Sequence, residues 1–530
     1  MILGVAIAAG TLVSCSVDDA DNAQVPVQES YTRDFIKTFG TINPNQDWNM
    51  AEQKSITVNT GSPTDVLIYE KQGGQYRLAA DYKAVSGIKT ILFDGLEGDD
   101  TPFIVSLNGN MVTATNGETV NYDGSSASGI ERAAETSSWV TRNDSTTLTL
   151  SNTDKRLYQL THKEGEDLSD LFELCTSTTL NMPLSEEEYT TLYPLYHGSN
   201  KSYEAGIYYY DTEAGTKIYV PFFKTGQYDD EYGELTGYDT KNRGGHIMSH
   251  GYTIQPSKSI IASIYVKSGD KIYYANPTLN NGAELFATST HDIQQNDYYL
   301  YILFDDPEDN NGDKDFNDLI FMKKLGHASG TTSQAISYLV ACEDLGGTFD
   351  YDFNDIVFRV SHAAGQDYLT ITPVAAGGTL EAYLCYNGKV VSEEWHKHFG
   401  NGYDISKMIN TGNDEDTNVR TIYLKGVPTD FSMTQFSTAN SGFSIKVVGK
   451  EETQVAGPSN GEAPQMLILP NDWKWPRELT NILTTYPQFG KWGKNYTDPT
   501  WVNTITDGNY IDMKENSFKS TEVLTFDVTK

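Results

Sequence analysis

A seven-residue acidic phrase occurs twice, as DFNDLIF at 315–321 and DFNDIVF at 352–358. In context the copies read DNNGDKDFNDLIF (309–321) and GGTFDYDFNDIVF (346–358). Asp313, Asp315 and Asn317 stand at i, i+2 and i+4 with Asp318 following, and Asp350, Asp352, Asn354 and Asp355 repeat the arrangement. More acids precede each copy: Asp305 and Asp306 the first, Glu343 and Asp344 the second. On a flat strand such residues share one face about 6–7 Å apart, and their charges repel. A backbone curled into a loop brings the same oxygens together, where a hard cation neutralises them. Calcium takes about six to eight oxygens at ~2.3–2.6 Å from Asp, Asn and backbone carbonyls, whereas magnesium demands stricter geometry. Zinc is poorly matched, because no His or Cys lies within either phrase. All twelve residues are therefore candidate calcium ligands. Phe316 and Phe353, inside the acidic run, read as anchors that fix each loop to the strand after it. The phrase is not an EF-hand, since the sixth loop position holds Asp318 or Asp355 in place of glycine. The alternative is turn chemistry, in which Asp and Asn bond their own backbone.

Other reactive arrangements are sparse. The chain has no GxSxG elbow, HExxH, Walker loop or GxGxxG. GGHIMSHG places His246 and His250 at i, i+4 without a glutamate between them. EEWHKH (393–398) would put His396 and His398 on one face of a strand, where they could hold a metal, although a solvated edge is the simpler reading. A glycosidase needs only two placed carboxylates, and nothing in the sequence selects a pair. The expectation is a protein that is not an enzyme.

The elements that must position the acidic phrases are strands. SITVNT, DVLIYEK, IKTILFDG, PFIVSLNG, AGIYYYDT, TKIYVPFF, SIIASIYV and DYYLYILFDD alternate or run apolar between Gly, Pro, Asn and Asp. ISYLVAC, YLTITPV, TLEAYLCYNG, RTIYLKGV, FSIKVVGK, QMLILP and EVLTFDVTK follow. No βαβ rhythm appears. The fold class expected is mainly β, with several antiparallel β-sandwich domains in tandem and a short helical insertion. YTRDFIKTFG predicts a short helix. GEDLSDLFELC and PLSEEEYTTLYPLY predict helical pieces within 163–190. The divisions expected are a β domain over 31–148, a connector with the helical insertion over 149–194, a β-sandwich over 195–328 ending in the first acidic phrase, and a C-terminal β-sandwich over 329–530 carrying the second.

The N-terminus reads as an address. ILGVAIAAGTLVSCS is apolar from Ile2 to Val13, shorter than the roughly 20 residues a spanning helix needs and suited to a signal-peptide core. Leu12-Val13-Ser14-Cys15 matches a bacterial lipobox, which makes 1–14 the signal peptide and Cys15 the lipidated residue. No Lys or Arg precedes the apolar run, which leaves the true start open. Residues 15–30 are acidic and aperiodic, the pattern of a tether, and Asp18 and Asp19 resemble a signal for display on the cell exterior. The 530 residues hold 72 Asp and Glu against 38 Lys and Arg, a formal net charge of −34. That balance excludes nucleic acid as a partner and argues against basic adhesion to anionic lipid. Cys175, Cys342 and Cys385 follow neither a disulfide framework nor a metal spacing and are expected to be buried thiols.

The paired acidic phrase, ACEDLGGTFDYDFND and ILPNDWKWPRELTNILTTYPQFGKW resemble the LruC-domain family of bacterial surface lipoproteins. FGTINPNQDWNMA is similar to a module often joined to that domain. The resemblance spans roughly 31–60 and 190–530. It implies a β-rich, outer-membrane-anchored protein exposed at the cell surface, and it brings no reaction and no ligand. Trp473, Trp475 and Trp492 gather near the C-terminus; exposed they would stack on sugar rings, and buried they would close the last sandwich. Together these features lead to the expectation of a calcium-stabilised surface lipoprotein acting as a binding or adhesion module, its partner an extracellular glycan or protein. A structural subunit of a surface appendage and an extracellular glycan hydrolase are the alternatives.

Overall fold

A computed structural model describes residues 27–123, 132–133, 139–147, 174–176, 179–186, 189–199, 201–211, 216–224, 246–247, 250–294, 297–309, 314–327, 335–345, 349–400, 404–412, 418–437, 442–449, 452–506, 508–513 and 518–529. Cys15, the expected signal peptide and most of the tether lie outside them, as does Asp313. The fold is mainly β. Among the described residues antiparallel sheets dominate, helices are few and short, and no sheet closes into a barrel. No described helix is long and apolar enough to cross a membrane.

The expected N-terminal helix forms over Val27–Phe39. Tyr31, Phe35 and Phe39 recur every fourth residue, so they share one face, and all three are buried. Gly40, with φ 91, stops it in the left-handed conformation of a helix C-terminus. Two 22-residue strands, Ala51–Gln72 and Gln75–Leu96, then pair as one long hairpin. Gly73 and Gly74 supply the two positive φ angles of its two-residue turn.

The apolar core does not follow the chain in sequence. The helix, the long hairpin and the strands beyond Ile336 share one continuous core, in which Phe35, Ile56, Ile68, Val340, Phe358 and Ile445 take part. A six-stranded sheet, ordered from Met466–Pro470 through Ser337–Cys342, Ile356–Ser361, Tyr368–Ala375 and Asn418–Lys425 to Lys519–Asp527, contributes one side of it. Its last pair is parallel. The middle of the chain forms a separate sandwich. Tyr203, Ile207 and Ile264 of one sheet face Leu192, Phe304 and Phe321 of another across a second core.

Two local expectations are corrected. PLSEEEYTTLYPLY is not helical: it contributes to strand Met182–Leu184 and to strand Thr190–His197. The run TTLYPLY is rich in β-branched and aromatic residues, which favour a half-buried strand over a helix. Its Pro194 falls at a register shift in the ladder, where a missing N–H is tolerated. Most of GEDLSDLFELC lies outside the described residues. Of the three thiols, Cys342 and Cys385 are buried, but Cys175 is exposed.

Candidate metal centre

Both acidic phrases occupy the same structural position: each closes a pair of adjacent antiparallel strands. The first joins Asp297–Phe304 to Leu319–His327, with Phe304 opposite Leu319. The second joins Ser337–Cys342 to Ile356–Ser361, with Cys342 opposite Ile356. One hydrogen bond ties the base of each loop. The Asp306 N–H donates to Asp318 Oδ2 at 2.5 Å, and the Asp344 N–H donates to Asp355 Oδ2 at 2.7 Å. The last acid of each phrase is thus a clasp within its own loop.

The curl expected of the loops is present and has a backbone cause. Lys314 and Phe316 have φ of 59 and 56, and their counterparts Tyr351 and Phe353 have φ of 57 and 53. Alternate residues are left-handed, which costs a side-chain-bearing residue about 1–2 kcal/mol. Burial of Phe316, Tyr351 and Phe353 offsets that strain. Phe353 packs near Phe489, and Tyr351 packs against Tyr31, Phe35 and Phe39 of the helix. Beside the anchored rings of Tyr351 and Phe353, Asp350 and Asp352 of the second loop turn toward each other.

In the second loop the inward turn makes a carboxylate cluster. One oxygen from each of Glu343, Asp350 and Asp352 lies within 4.8 Å of the other two. Oxygens around a calcium ion at ~2.3–2.6 Å stand at separations up to about 5 Å, so this spacing fits one ion. Among the described residues, Glu343, Asp350 and Asp352 have no Lys or Arg partner. Instead they accept hydrogen bonds. Phe353 N–H donates to Glu343 Oε1 at 2.8 Å, and Leu479 N–H donates to Asp352 Oδ2 at 2.9 Å. Burial, followed by the charges of Glu343 and Asp350, pushes Asp352 up to about 10. Burial and then Asp350 push Glu343 up to about 8. Burial raises Asp350, and burial with the neighbouring Asp344 and Glu343 carboxylates raises Asp355 well above the usual range. These are the shifts of carboxylates crowded together without a counter-charge.

Asn354 is fully buried, and its amide orientation is fixed by chemistry. Its Nδ2 lies 3.0 Å from the Pro476 carbonyl, which can only accept, so Oδ1 is the remaining end. That Oδ1 has no hydrogen-bond partner, and neither has Glu478 Oε2, also buried. Glu478 was not legible as a site residue. It lies 126 positions beyond Asp352 and reaches the loop because the WKWPREL segment docks there through Leu479, Asn481 and Ile482.

The first loop is built differently. Asp305 and Asp306 are buried, and Lys201 Nζ stands 3.1 Å from Asp306 Oδ2, with Tyr203 Oη also at 3.1 Å. Ser199 Oγ donates to Asp309. Asp315 Oδ1 accepts from the Asn317 N–H at 3.2 Å, the turn bond that Asp352 Oδ1 also accepts from the Asn354 N–H at 3.2 Å in the second loop, and the other Asp315 oxygen pairs with the Asn317 amide. Burial pushes Asp318 up to about 8.

Trp473, Trp475 and Trp492 are buried, at most 5% exposed, and present no ring face to a sugar. Trp492 stacks on Trp501 and Trp473 on Tyr486, so this cluster closes the core instead. His396 and His398 lie in a short 3-10 turn, Trp395–His398, not on a strand edge. Both are buried, and His396 Nδ1 and Nε2 bond Glu394 Oε1 at 2.8 Å and the Gly378 carbonyl at 2.9 Å.

Residues 401–499 match a family described as a domain of unknown function, DUF4842. That window contains the WKWPREL segment and Glu478, but neither acidic phrase. No curated protein matches the chain. A solved structure described as a lipoprotein from Bacteroides ovatus is similar at 13% identity, over 47% of this chain and 90% of that one, with a TM-score of 0.19.

Proposed function

We propose that the chain is a surface-anchored lipoprotein whose β platform is locked by calcium at the second acidic loop. The observation that carries the cation reading is the cluster of buried Glu343 and Asp352 with half-buried Asp350, its oxygens within 4.8 Å of one another. The donors are all hard oxygens, which suits calcium and not a soft-ligand metal. A bound ion supplies the positive charge that these carboxylates lack, and so removes the cost of burying them together. The site joins the end of the strand pair to the WKWPREL segment, so it acts as a clamp and not as a reaction centre. The lipobox at Cys15, the acidic tether and the LruC-domain resemblance support anchorage at the outer membrane with the platform facing outward. A rigid platform held away from the membrane suits binding or adhesion. The buried tryptophans give no support to sugar stacking as its mode.

Thermal melting tests the clamp. Binding at about 100 times Kd stabilises by ~2.7 kcal/mol, and 1 kcal/mol shifts Tm by about 2–4 °C in a domain of this size class. Chelator should therefore lower Tm by roughly 5–10 °C, and added Ca²⁺ should restore it. A melt indifferent to both would remove the clamp. Membrane fractionation tests the anchor: Cys15→Ala should move the chain from the membrane to the soluble fraction, and retention of the variant would refute lipidation there.

A further inference from the structure

The three-carboxylate cluster leaves two neighbouring buried oxygen atoms unexplained. Gly377 adopts no left-handed φ, so its lack of a side chain is not a conformational need. A Cβ there would fall 2.1 Å from Asn354 Oδ1 and 2.7 Å from Glu478 Oε2. At the adjacent Gly378 a Cβ would fall 2.7 Å from Asp344 Oδ2. The glycine pair thus lets oxygen atoms from three separate chain segments come close together against its backbone. Two of those atoms, Asn354 Oδ1 and Glu478 Oε2, are buried and have no hydrogen-bond partner. Buried polar atoms in native proteins are nearly always satisfied. An amide oxygen and a carboxylate oxygen cannot satisfy each other, because both are acceptors.

Charge points the same way. Glu343, Asp344, Asp350, Asp352, Asp355 and Glu478 repel one another in overlapping sets. One divalent ion among Glu343, Asp350 and Asp352 leaves the Glu478 carboxylate, which repels that cluster, without a counter-charge of its own among the described residues.

We propose that this centre holds two calcium ions. The first sits among Glu343, Asp350 and Asp352, and the second is bound beside Gly377 by Asn354 Oδ1 and Glu478 Oε2, with Asp344 along the same wall. The inference rests on the clamp reading and extends it, since the second ion would bond the acidic loop to the WKWPREL segment directly. Native mass spectrometry of the folded chain, titrated with Ca²⁺ alone, counts the ions. Glu478→Ala, at a half-buried position, should lose one ion relative to the parent and keep the ion at the first position. Asp350→Asn should also lower the count. If Glu478→Ala binds as many ions as the parent while Asp350→Asn binds fewer, the second ion is refuted and the clamp stands. If neither variant changes the count, both fall. Circular dichroism of each variant confirms that the counts are compared between folded chains.

Discussion

In the first acidic loop, Asp306 is met by a lysine ammonium and a tyrosine hydroxyl, both at 3.1 Å. In the second, Glu343, Asp350 and Asp352 meet one another and backbone N–H groups. The seven-residue phrase, the left-handed positions, the buried phenylalanine and the clasp at the base are common to both. What differs is which chain segment lies opposite. The strand beginning at Tyr203 brings Lys201 to the first loop, whereas the WKWPREL segment brings Glu478 to the second. A phrase of this kind therefore specifies a curl and the clasp at its base. The neighbouring segment decides whether the acids of the loop meet an opposite charge from within the protein.

The strongest way to break this comparison is to remove one acid from each loop. Asp352→Asn should abolish most of the roughly 5–10 °C response of Tm to Ca²⁺, while Asp315→Asn should leave most of it. Equal losses in the two variants would mean that the loops are not electrostatically distinct.

A separate effect is expected from pH. Glu343 and Asp352 sit at about 8 and about 10, above the values of an unfolded chain. Across that window the metal-free native state holds more protons than the unfolded state, so its stability falls as pH rises. Each unit of separation amounts to about 1.4 kcal/mol at most. In chelator, Tm should drop between pH 5.5 and 8. With saturating Ca²⁺ the second loop is ionised in the folded state and its share of the drop should vanish. The share from Asp318 in the first loop, at about 8, should persist. Parallel slopes with and without calcium would contradict the assignment.

The smallest change sharpens the comparison. Lys201→Met leaves Asp306 buried without its ammonium. Because the Lys201 side chain is 30% exposed, the loss should be about 1–2 kcal/mol, below the ~3–5 of a fully buried pair. Combined with Asp352→Asn, it should give the first loop a calcium response of its own, read as a new rise in Tm on titration. A double variant that melts identically with and without Ca²⁺ would show that charge alone does not make the first loop a site.

Residue order by itself determined the β class, the helix over Val27–Phe39 and the duplicated curl, because these depend on periodicity, turn residues and the spacing of neighbours along the chain. It also offered both roles for the acids, ion binding and turn formation; the turn bond forms in both loops, and the second loop alone adds a three-carboxylate cluster among the described residues. It misread TTLYPLY as helix, since a short apolar run lacks a decisive period until a neighbouring strand pairs with it. Only the tertiary structure decided that Glu478 and Lys201 face the two loops and that the tryptophans point inward. It also showed that the helix over Val27–Phe39 and the strands beyond Ile336 share one core. Those outcomes depend on contacts between residues one hundred or more positions apart. The energy of a buried carboxylate depends on which charges and dipoles surround it in space, and no local pattern of residues encodes that.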